Sequence, residues 1–396
     1  MRRAAWVMVH RWIGLTLAAF LVILGLTGSM LAFLPELNHW LAPSLYPGPR
    51  AGAELNAATL ARRAEELAPS AQATSVDLRI VGTAAIGMEG RSDASPLGFD
   101  TLYLDSVTGE ELGRLKSGDL PTTKQQIMPF IYNLHTALAT GDIGGWILGT
   151  VALVWTIDCF VAFYLTLPLP HRSGGKSFLA RWKPAWLVKY SASAYRLNFD
   201  LHRTGGLWLW GALFIFAWSG VYMNLNGFYT RVTQLVFDYE QPVWARPAPP
   251  PHSEDREPFR WEKAYRIAIE HMAQQAREQN FGIERPIAFY FMQDKGLYEY
   301  TVRSSRDVGD SNGRTSIDFD AYTGALESVS LPTGQHAGVS LTTWLVELHM
   351  ANLFGLPYRI FVCGLGTVIM MLSGTGVYIW WKKRLARIAH ARFSNA

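Results

Sequence analysis

Residues 200–225 read DLHRTGGLWLWGALFIFAWSGVYMNL, an apolar run that begins with a histidine beside an arginine and is long enough to cross a bilayer. Residues 8–30 read MVHRWIGLTLAAFLVILGLTGSM and have the same form. Both runs contain His-Arg-x-x-Gly-Leu, and in both a glycine follows the histidine by eighteen residues, which gives the pairs His10 with Gly28 and His202 with Gly220. Two runs that share this spacing indicate an internal repeat, so we expect two copies of one unit.

Four apolar runs in the 396-residue chain reach the roughly 20 residues that are needed to cross ~30 Å of hydrocarbon. They are Ile13–Leu34, Ile143–Leu169, Leu207–Leu225 and Ile360–Trp381. Mean hydropathy over the whole chain is only slightly positive, so long polar segments separate the runs. A single run of this kind sometimes forms a buried helix in a soluble protein, but four of them predict an α-helical membrane protein.

Basic residues are concentrated at the N-terminus, in the connection between the second and third runs, and at the C-terminus, and these three segments contain a single acid, Asp200. Because cytoplasmic loops of membrane proteins carry an excess of Lys and Arg, we expect all three segments to lie in the cytoplasm. The two long segments between them then lie outside. This topology accounts for the basic residues fully, and no nucleic-acid binding is predicted. The cations are Arg2, Arg3, Arg11, Arg172, Lys176, Arg181, Lys183, Lys189, Arg196, Arg203, Lys382, Lys383, Arg384, Arg387 and Arg392.

The N-terminal run is predicted to be a retained helix rather than a signal peptide, because it is longer than the roughly 7–15 apolar residues of a signal and no clear small-x-small cleavage site follows. The only cysteines, Cys159 and Cys363, lie inside apolar runs, so the outer segments contain no disulfide. The chain has no Cys-x-x-Cys-His, which excludes covalent haem attachment. No Gly-x-Gly-x-x-Gly follows a predicted strand, so no dinucleotide-binding domain is predicted.

The two outer segments follow one plan, a helical stretch and then short strands. The predicted helices are Asn56–Leu67 and Trp261–Gln279, and the predicted strands include 101–105, Ile287–Met292, Tyr298–Val302 and 316–320. Each segment contains Asp-x-x-Thr-Gly, at 105–109 and at 320–324, which predicts a strand ending in a turn whose glycine supplies the unusual dihedral. The proline-rich stretch Arg246–Pro258 is predicted to be a linker.

Two more histidines complete the repeat. His135 and His349 each follow a leucine and precede a glycine-containing break and an apolar run. They fall near the predicted outer ends of the runs, whereas His10 and His202 fall at the predicted cytoplasmic ends, which gives two pairs at two depths. Histidine near a membrane is costly and usually functional. A single one can simply bond to a carbonyl, but four at matched positions favour a shared role.

A metal site is the role that the four histidines favour, because neutral imidazole is a common metal ligand. A haem iron takes axial ligands from facing helices and needs an apolar pocket. The aromatic and small residues of the runs suit such a pocket, although interfacial anchoring and ordinary helix packing explain them equally well. A zinc site is less well supported, because the chain has no His-x-x-His or His-Glu-x-x-His.

Other candidate residues are left without a role. Asp158, inside the second run, is either a proton-linked site or a buried acid bonded to its neighbours. His336 and Met350 are alternative outer ligands, so the sequence leaves the pairing of the histidines open. The remaining histidines are interpreted as solvated surface residues: His39, His171, His252, His271 and His390.

The combined order of these motifs resembles the PepSY-associated transmembrane family of bacterial inner-membrane proteins. The motifs are the stretch from His10 to Leu15 with Thr27-Gly28, the two Asp-x-x-Thr-Gly turns, and SGTGVYIWWK at 373–382. The resemblance covers nearly the whole chain. Characterised members look like four-helix, di-haem ferric-siderophore reductases with periplasmic PepSY-type domains. The resemblance therefore implies two non-covalent b-type haems, with bis-histidine ligation carried over onto His10, His202, His135 and His349.

The expected fold is an α-helical membrane protein with four transmembrane helices as two repeats and two α+β PepSY-like periplasmic domains. Both termini are expected in the cytoplasm of a bacterium, and the protein in its inner membrane. The expected segments are an N-terminus and first span (1–34), domain 1 with His135 (35–142), a second span (143–169), a basic loop (170–203), a third span (204–225), domain 2 with His349 (226–359), a fourth span (360–381) and a tail (382–396).

The function implied is an oxidoreductase that reduces a ferric siderophore or another iron chelate in the periplasm and releases Fe(II). Its electrons would come from the quinol pool or a cytoplasmic flavoprotein, and the basic inner loop would dock an acidic donor or bind anionic membrane lipid. One alternative is a non-enzymatic PepSY binding or regulatory protein anchored by its helices, which leaves four matched histidines unexplained. Another is an iron-chelate permease, which four spans without broken helices that carry charged midplane sites support poorly unless the protein oligomerises.

Overall fold

The structure is a computed structural model that describes residues 3–91, 97–169, 177–247 and 257–394. The chain divides into two compact units. The first, called here the membrane unit, comprises residues 1–32, 134–229 and 356–396. The second, called the sheet unit, comprises residues 33–133 and 230–355.

Twelve α-helices and eight strands are described. The helices are α1 (Arg3–Leu31), α2 (Leu34–Leu41), α3 (Ala57–Leu67), α4 (Ile127–Ala137), α5 (Asp142–Thr166), α6 (Phe178–Trp182), α7 (Ala194–Trp208), α8 (Trp210–Asn224), α9 (Asn226–Gln234), α10 (Trp261–Glu278), α11 (Ala337–His349) and α12 (Gly355–Ser394). The strands are β1 (Ala71–Asp77), β2 (Thr83–Gly90), β3 (Thr101–Asp105), β4 (Glu111–Leu115), β5 (Ile283–Met292), β6 (Leu297–Ser304), β7 (Thr315–Asp320) and β8 (Leu326–Ser330).

The apolar runs form three long helices and one bent pair in the described parts of the chain. Helices α1, α5 and α12 are each long and apolar enough to cross a membrane. The third run is divided between α7 and α8, which are bent by 68°, so the number of spans is four if this pair counts as one. The second helix of the pair ends at Asn224, close to the predicted limit of the run.

The third span was expected to be continuous, and this was wrong. The sequence Gly205-Gly206 precedes the break, and glycine has a low helix propensity that permits a kink. The indole N–H of Trp210 donates to the Cys159 carbonyl of α5 at 2.9 Å and thereby fixes the start of α8. A permease would need charged residues at a broken helix, and the residues at this break, Trp208 to Trp210, are uncharged. Helix α7 also begins before residue 204, so His202 lies inside it.

Glycines allow close approach between helices of the membrane unit. A Cβ added at Gly25 of α1 would lie 2.7 Å from the Gly366 carbonyl oxygen of α12, so the two backbones touch there. Ser29 Oγ lies 3.0 Å from the Cys363 carbonyl oxygen one turn further along the same crossing. Helices α5 and α8 meet where a Cβ on Gly149 would clash with Leu225. Some of the small residues of the runs are therefore explained by packing.

The sheet unit contains one antiparallel sheet with the order β4-β3-β2-β1-β5-β6-β7-β8. Each half is a four-stranded meander preceded by a helix, α3 or α10, and the halves join through the pairing of β1 with β5. One hydrophobic core includes residues of both halves, such as Val76 and Ile86 from the first and Phe289 and Phe319 from the second. The two outer segments thus form one unit, not two separate domains, because joining them covers a strand edge that each half would otherwise expose.

The local predictions for the outer segments are confirmed. Asn56 caps α3, since its Oδ1 accepts from the Thr59 amide at 2.9 Å. In both Asp-x-x-Thr-Gly turns the aspartate Oδ1 accepts two backbone N–H groups, and the glycines Gly109 and Gly324 have φ of 72° and 78°. The predicted linker Arg246–Pro258 lies mostly at 248–256, outside the described residues.

Candidate functional site

The structure brings His10 and His202 together inside the membrane unit. His10 lies on α1 and His202 on α7, in the two halves of the repeat, and their ring centroids are 6.0 Å apart with an interplanar angle of 55°. Both side chains are partly buried. The pair that the sequence placed at one depth is therefore a pair in space.

The partners of the two rings fix which nitrogen carries the proton. His10 Nδ1 lies 3.0 Å from both carboxylate oxygens of Asp158, and His202 Nδ1 lies 3.0 Å from the Leu372 carbonyl and 3.1 Å from Thr375 Oγ1. A carboxylate and a carbonyl only accept hydrogen bonds, so each neutral ring holds its proton on Nδ1. Each Nε2 then presents a lone pair, and neither bonds to a described residue.

His135, near the end of α4, also belongs to the membrane unit. Its Nδ1 lies 2.8 Å from Thr27 Oγ1 of α1. The Thr27 hydroxyl donates to the Ile23 carbonyl at 2.7 Å, so it accepts from the imidazole. A Cβ added at the next residue, Gly28, would lie 3.0 Å from His135 Cε1. His135 therefore carries its proton on Nδ1, as His10 and His202 do, and its ring packs against Gly28.

The arrangement around His135 recurs around His202. The Thr375 hydroxyl donates to the Met371 carbonyl at 2.7 Å and accepts from His202, and a Cβ on Gly376 would lie 3.2 Å from His202 Cε1. We call the pairs Thr27-Gly28 and Thr375-Gly376 the threonine–glycine cradles. Thr27-Gly28 and Gly376 belong to motifs noted in the sequence, but neither was connected there with a histidine; the recurrence of Thr-Gly was the available signal.

His349 lies at the end of α11 in the sheet unit. The buried Glu347 accepts hydrogen bonds from Arg314 and from Asn352, and these hold the turn that follows the helix. Asn352 in turn accepts from the Ser311 hydroxyl at 2.8 Å. No sequence pattern predicted this network, because Ser311 and Arg314 are more than thirty residues from their partners in the chain.

Unusual backbone follows both His135 and His349. Leu138 and Ala139 have φ of 51° and 54°, and Ala351 and Phe354 have φ of 53° and 57°. Among the described residues only one other non-glycine, Asn280, has a positive φ. Left-handed backbone costs non-glycine residues energy and tends to persist at functional sites. Left-handed residues follow the histidine in both halves, so the two halves of the repeat share this backbone feature as well as their sequence motifs.

The PepSY-associated TM region family matches residues 7–383 of the chain. The chain belongs to this family. The match covers the four apolar runs, the sheet unit and all four histidines, and it agrees with the long apolar helices in indicating a membrane protein. No curated protein was found to match the chain.

Two residues that the sequence left open now have defined surroundings in this PepSY-associated TM protein. Asp158 is 7% exposed and bonds to His10. It is the only acid inside the four apolar runs, and its bond to His10 agrees with the predicted alternative of a buried acid bonded to its neighbours. His336 belongs to the sheet unit, where it contacts Asp238 at 2.7 Å and Glu240 at 3.4 Å through its two ring nitrogens. Both nitrogens of His336 therefore face carboxylates.

The residues around His10 and His202 fit axial ligation of one metal ion. An imidazole nitrogen lies about 2 Å from the metal that it binds, so two imidazoles on opposite sides of one ion have centroids roughly 6 Å apart. The observed separation is 6.0 Å. Gly14 and Gly206 lie one turn after the two histidines on the same helix faces, and a Cβ on either would meet no heavy atom within 4 Å. His10 and His202 would therefore be the residues that hold such a metal ion, and there is open space beside each of them.

Proposed function

We propose that the protein is a di-haem b electron-transfer protein of the bacterial inner membrane that reduces a ferric siderophore or a similar iron chelate in the periplasm. The observation that carries the proposal is the pair His10 and His202, whose ring centroids lie 6.0 Å apart and whose Nδ1 atoms bond to other groups, so that each Nε2 remains for a metal ion. A haem bound there supplies one-electron ferric/ferrous chemistry. The resemblance to ferric-siderophore reductases supplies the substrate class.

The proposal of a second haem is supported mainly by the sequence motifs around His135 and His349. His135 has the tautomer of a ligand and a threonine–glycine cradle, and His349 stays a predicted ligand. Along α1, Thr27 follows His10 by seventeen residues, which is ~26 Å at 1.5 Å per residue. The cradle of His135 and the His10 site thus lie at opposite ends of one helix. Two carriers at these depths divide the width of the membrane into shorter electron-transfer steps.

Apolar side chains from several helices separate those two levels. Leu213, Leu365 and Ile369 form a buried cluster with Cys159, against which Trp155 and Phe216 pack. Such packing excludes water and fixes the helices that carry the histidines. A dry, rigid interior favours electron transfer because few dipoles have to rearrange when the charge moves.

The direction proposed is from a cytoplasmic or quinol donor to the periplasm. An electron that leaves a negative cytoplasm gains about 2.3 kcal/mol per 100 mV of membrane potential. Reduction of the chelated iron weakens the hold of hard oxygen ligands and releases Fe(II). The basic segment that contains Arg181, Lys183 and Lys189 is the proposed contact for an acidic donor or for anionic lipid.

The test is an absorption spectrum of the detergent-purified protein, oxidised and dithionite-reduced, with haem measured per chain. We expect sharp reduced bands of a low-spin b-type haem at about two per chain. His10→Ala and His202→Ala should each remove the same haem, and His135→Ala and His349→Ala should each remove the other. His39→Ala is the matched control, because His39 is exposed and bonds only to the Tyr46 carbonyl among the described residues.

A colourless protein from haem-replete cells would contradict the proposal. The sheet unit, as a module that binds a peptide or a protein, would then become the leading candidate. If the haems are present, trapping of Fe(II) by a ferrous-specific chelator in the presence of a ferric siderophore and a reduced quinone analogue measures the activity. Reduction that also proceeds in the His10→Ala variant would contradict the proposed route.

A further inference from the structure

Asp158 is a buried acid inside an apolar helix. It lies on α5, is 7% exposed, and both of its carboxylate oxygens lie 3.0 Å from His10 Nδ1. An acid at such a position is costly and is usually retained for function. The carboxylate has no lysine or arginine partner among the described residues, so its stabilising contact is the imidazole.

The two facing imidazoles differ in what lies behind them. His10 donates to a carboxylate, whereas His202 donates to a carbonyl and a hydroxyl, which carry no net charge. The cradle of His135 likewise offers a neutral hydroxyl to Nδ1. Of the facing pair, His10 is therefore the ring whose Nδ1 bonds to an anion, and it lies on the side of the molecule predicted to face the cytoplasm.

We infer that Asp158 is a positioning residue that fixes the ring and tautomer of His10 and keeps the reduction potential of the inner haem low. The inference rests on the proposed function. A carboxylate that accepts from the second nitrogen of a ligating imidazole makes the ligand more basic. The added negative charge favours ferric over ferrous iron, which lowers the potential. An inner site of lower potential passes electrons outward to the site of His135, so Asp158 gives the transfer its direction.

The experiment is an optical redox titration of the haem-loaded protein and its Asp158→Asn variant. Asparagine keeps an acceptor oxygen for His10 Nδ1 and removes the charge. We expect the reduction equilibrium of one haem to move about tenfold toward the ferrous form, which is about 59 mV for a one-electron couple. The other haem should not change, and the spectrum should remain that of a low-spin haem.

Two further variants separate charge from structure. Asp158→Glu restores the charge and should return the potential toward that of the wild type. Thr375→Val removes one neutral partner of His202 and leaves the Leu372 carbonyl as acceptor, so it should move the potential much less than Asp158→Asn does. If Asp158→Asn loses the inner haem entirely, recovery of both haem and potential in Asp158→Glu supports the inference, and failure to recover overturns it.

The failures of the two proposals are distinguishable. A wild-type protein without haem overturns the proposed function and this inference together. A wild-type protein with two haems, and an Asp158→Asn variant whose two potentials are unchanged, overturns only the role of Asp158.

Discussion

Thr27-Gly28 and Thr375-Gly376 show how two adjacent residues can orient an imidazole. The threonine hydroxyl is committed to a carbonyl of its own helix, so it accepts from Nδ1 and selects one tautomer. The glycine lets the ring edge approach the helix backbone. Orientation and protonation are thus set by neutral groups that need no charge inside the membrane.

Gly376→Ala is predicted to lower the haem content toward one per chain. The new Cβ would lie 3.2 Å from His202 Cε1, so the ring would have to shift by a few tenths of an ångström from its position opposite His10. The measurement is haem per chain, with the reduced spectrum. Gly374→Ala on the same helix is the matched control, because its Cβ would meet nothing within 4 Å. Equal haem content in the two variants would contradict this role of Gly376.

Ala139→Gly is predicted to raise the free energy of unfolding by about 1 kcal/mol, because Ala139 has a φ of 54° that glycine adopts without a steric penalty. The opposite sign is expected for Ala162→Gly in the interior of α5, with a loss of about 1 kcal/mol. Thermal unfolding of the two variants in detergent measures the difference. A loss of stability in Ala139→Gly would mean that the methyl group contributes more than the backbone strain costs.

At the scale of elements, the break between α7 and α8 decides where His202 lies. The run of apolar residues is continuous through Leu209, and yet the helix axis turns by 68° there. The bend separates a first segment that carries His202 from a second that packs on α5 through Trp210. In a straight helix both segments would share one axis. The kink gives them different axes, so α7 can carry His202 while α8 packs on α5.

Two strands of the sheet carry a pair of acids whose titration should be visible. Glu299 of β6 is the register partner of Asp318 of β7 on the face opposite the helices. Burial, together with the neighbouring charge of Asp318, raises the pKa of Glu299 to about 7. Burial also raises the pKa of Asp318, to about 6. Thr301 and Ser328 donate to the two carboxylates and partly oppose these shifts.

The sheet unit is therefore predicted to lose stability as pH rises from about 4 to about 7. An acid with a higher pKa in the folded state binds its proton more tightly there, so its contribution is complete below the unfolded pKa and lost through the folded pKa. Each pKa unit is worth about 1.4 kcal/mol, which makes the loss a few kcal/mol. Glu299→Gln should flatten the thermal unfolding profile against pH, whereas Glu327→Gln at an exposed position of β8 should not. Parallel profiles for the two variants would contradict the assignment.

At the scale of the whole molecule, the two outer segments share one sheet and one hydrophobic core. Phe289 is fully buried and its ring lies 5.3 Å from that of Trp261 and 5.2 Å from that of Tyr298. Its strand, β5, also pairs with β1 of the first half. Residues of the second half thus support the first, and we expect the halves to unfold together.

Phe289→Ala is predicted to cost about 3–5 kcal/mol, since it leaves a cavity in this shared core. Hydrogen exchange should accelerate in β3 of the first half as well as in β7 of the second. Val81→Ala, at a site that is 54% exposed, should change neither strand measurably. Faster exchange confined to β5–β8 would show that the two halves unfold separately.

The sequence by itself determined the repeat, the apolar runs, the two helix-plus-strand segments and the turns at Asp105 and Asp320, because these follow from local periodicity and turn chemistry. It also placed His10 and His202 at one depth, since position along an apolar run is a local property. Tertiary structure decided what touches these residues. Asp158, Leu372 and Thr375 are distant in the chain from the histidines that they bond. The single sheet and the bent span likewise depend on packing between segments, which no local pattern records.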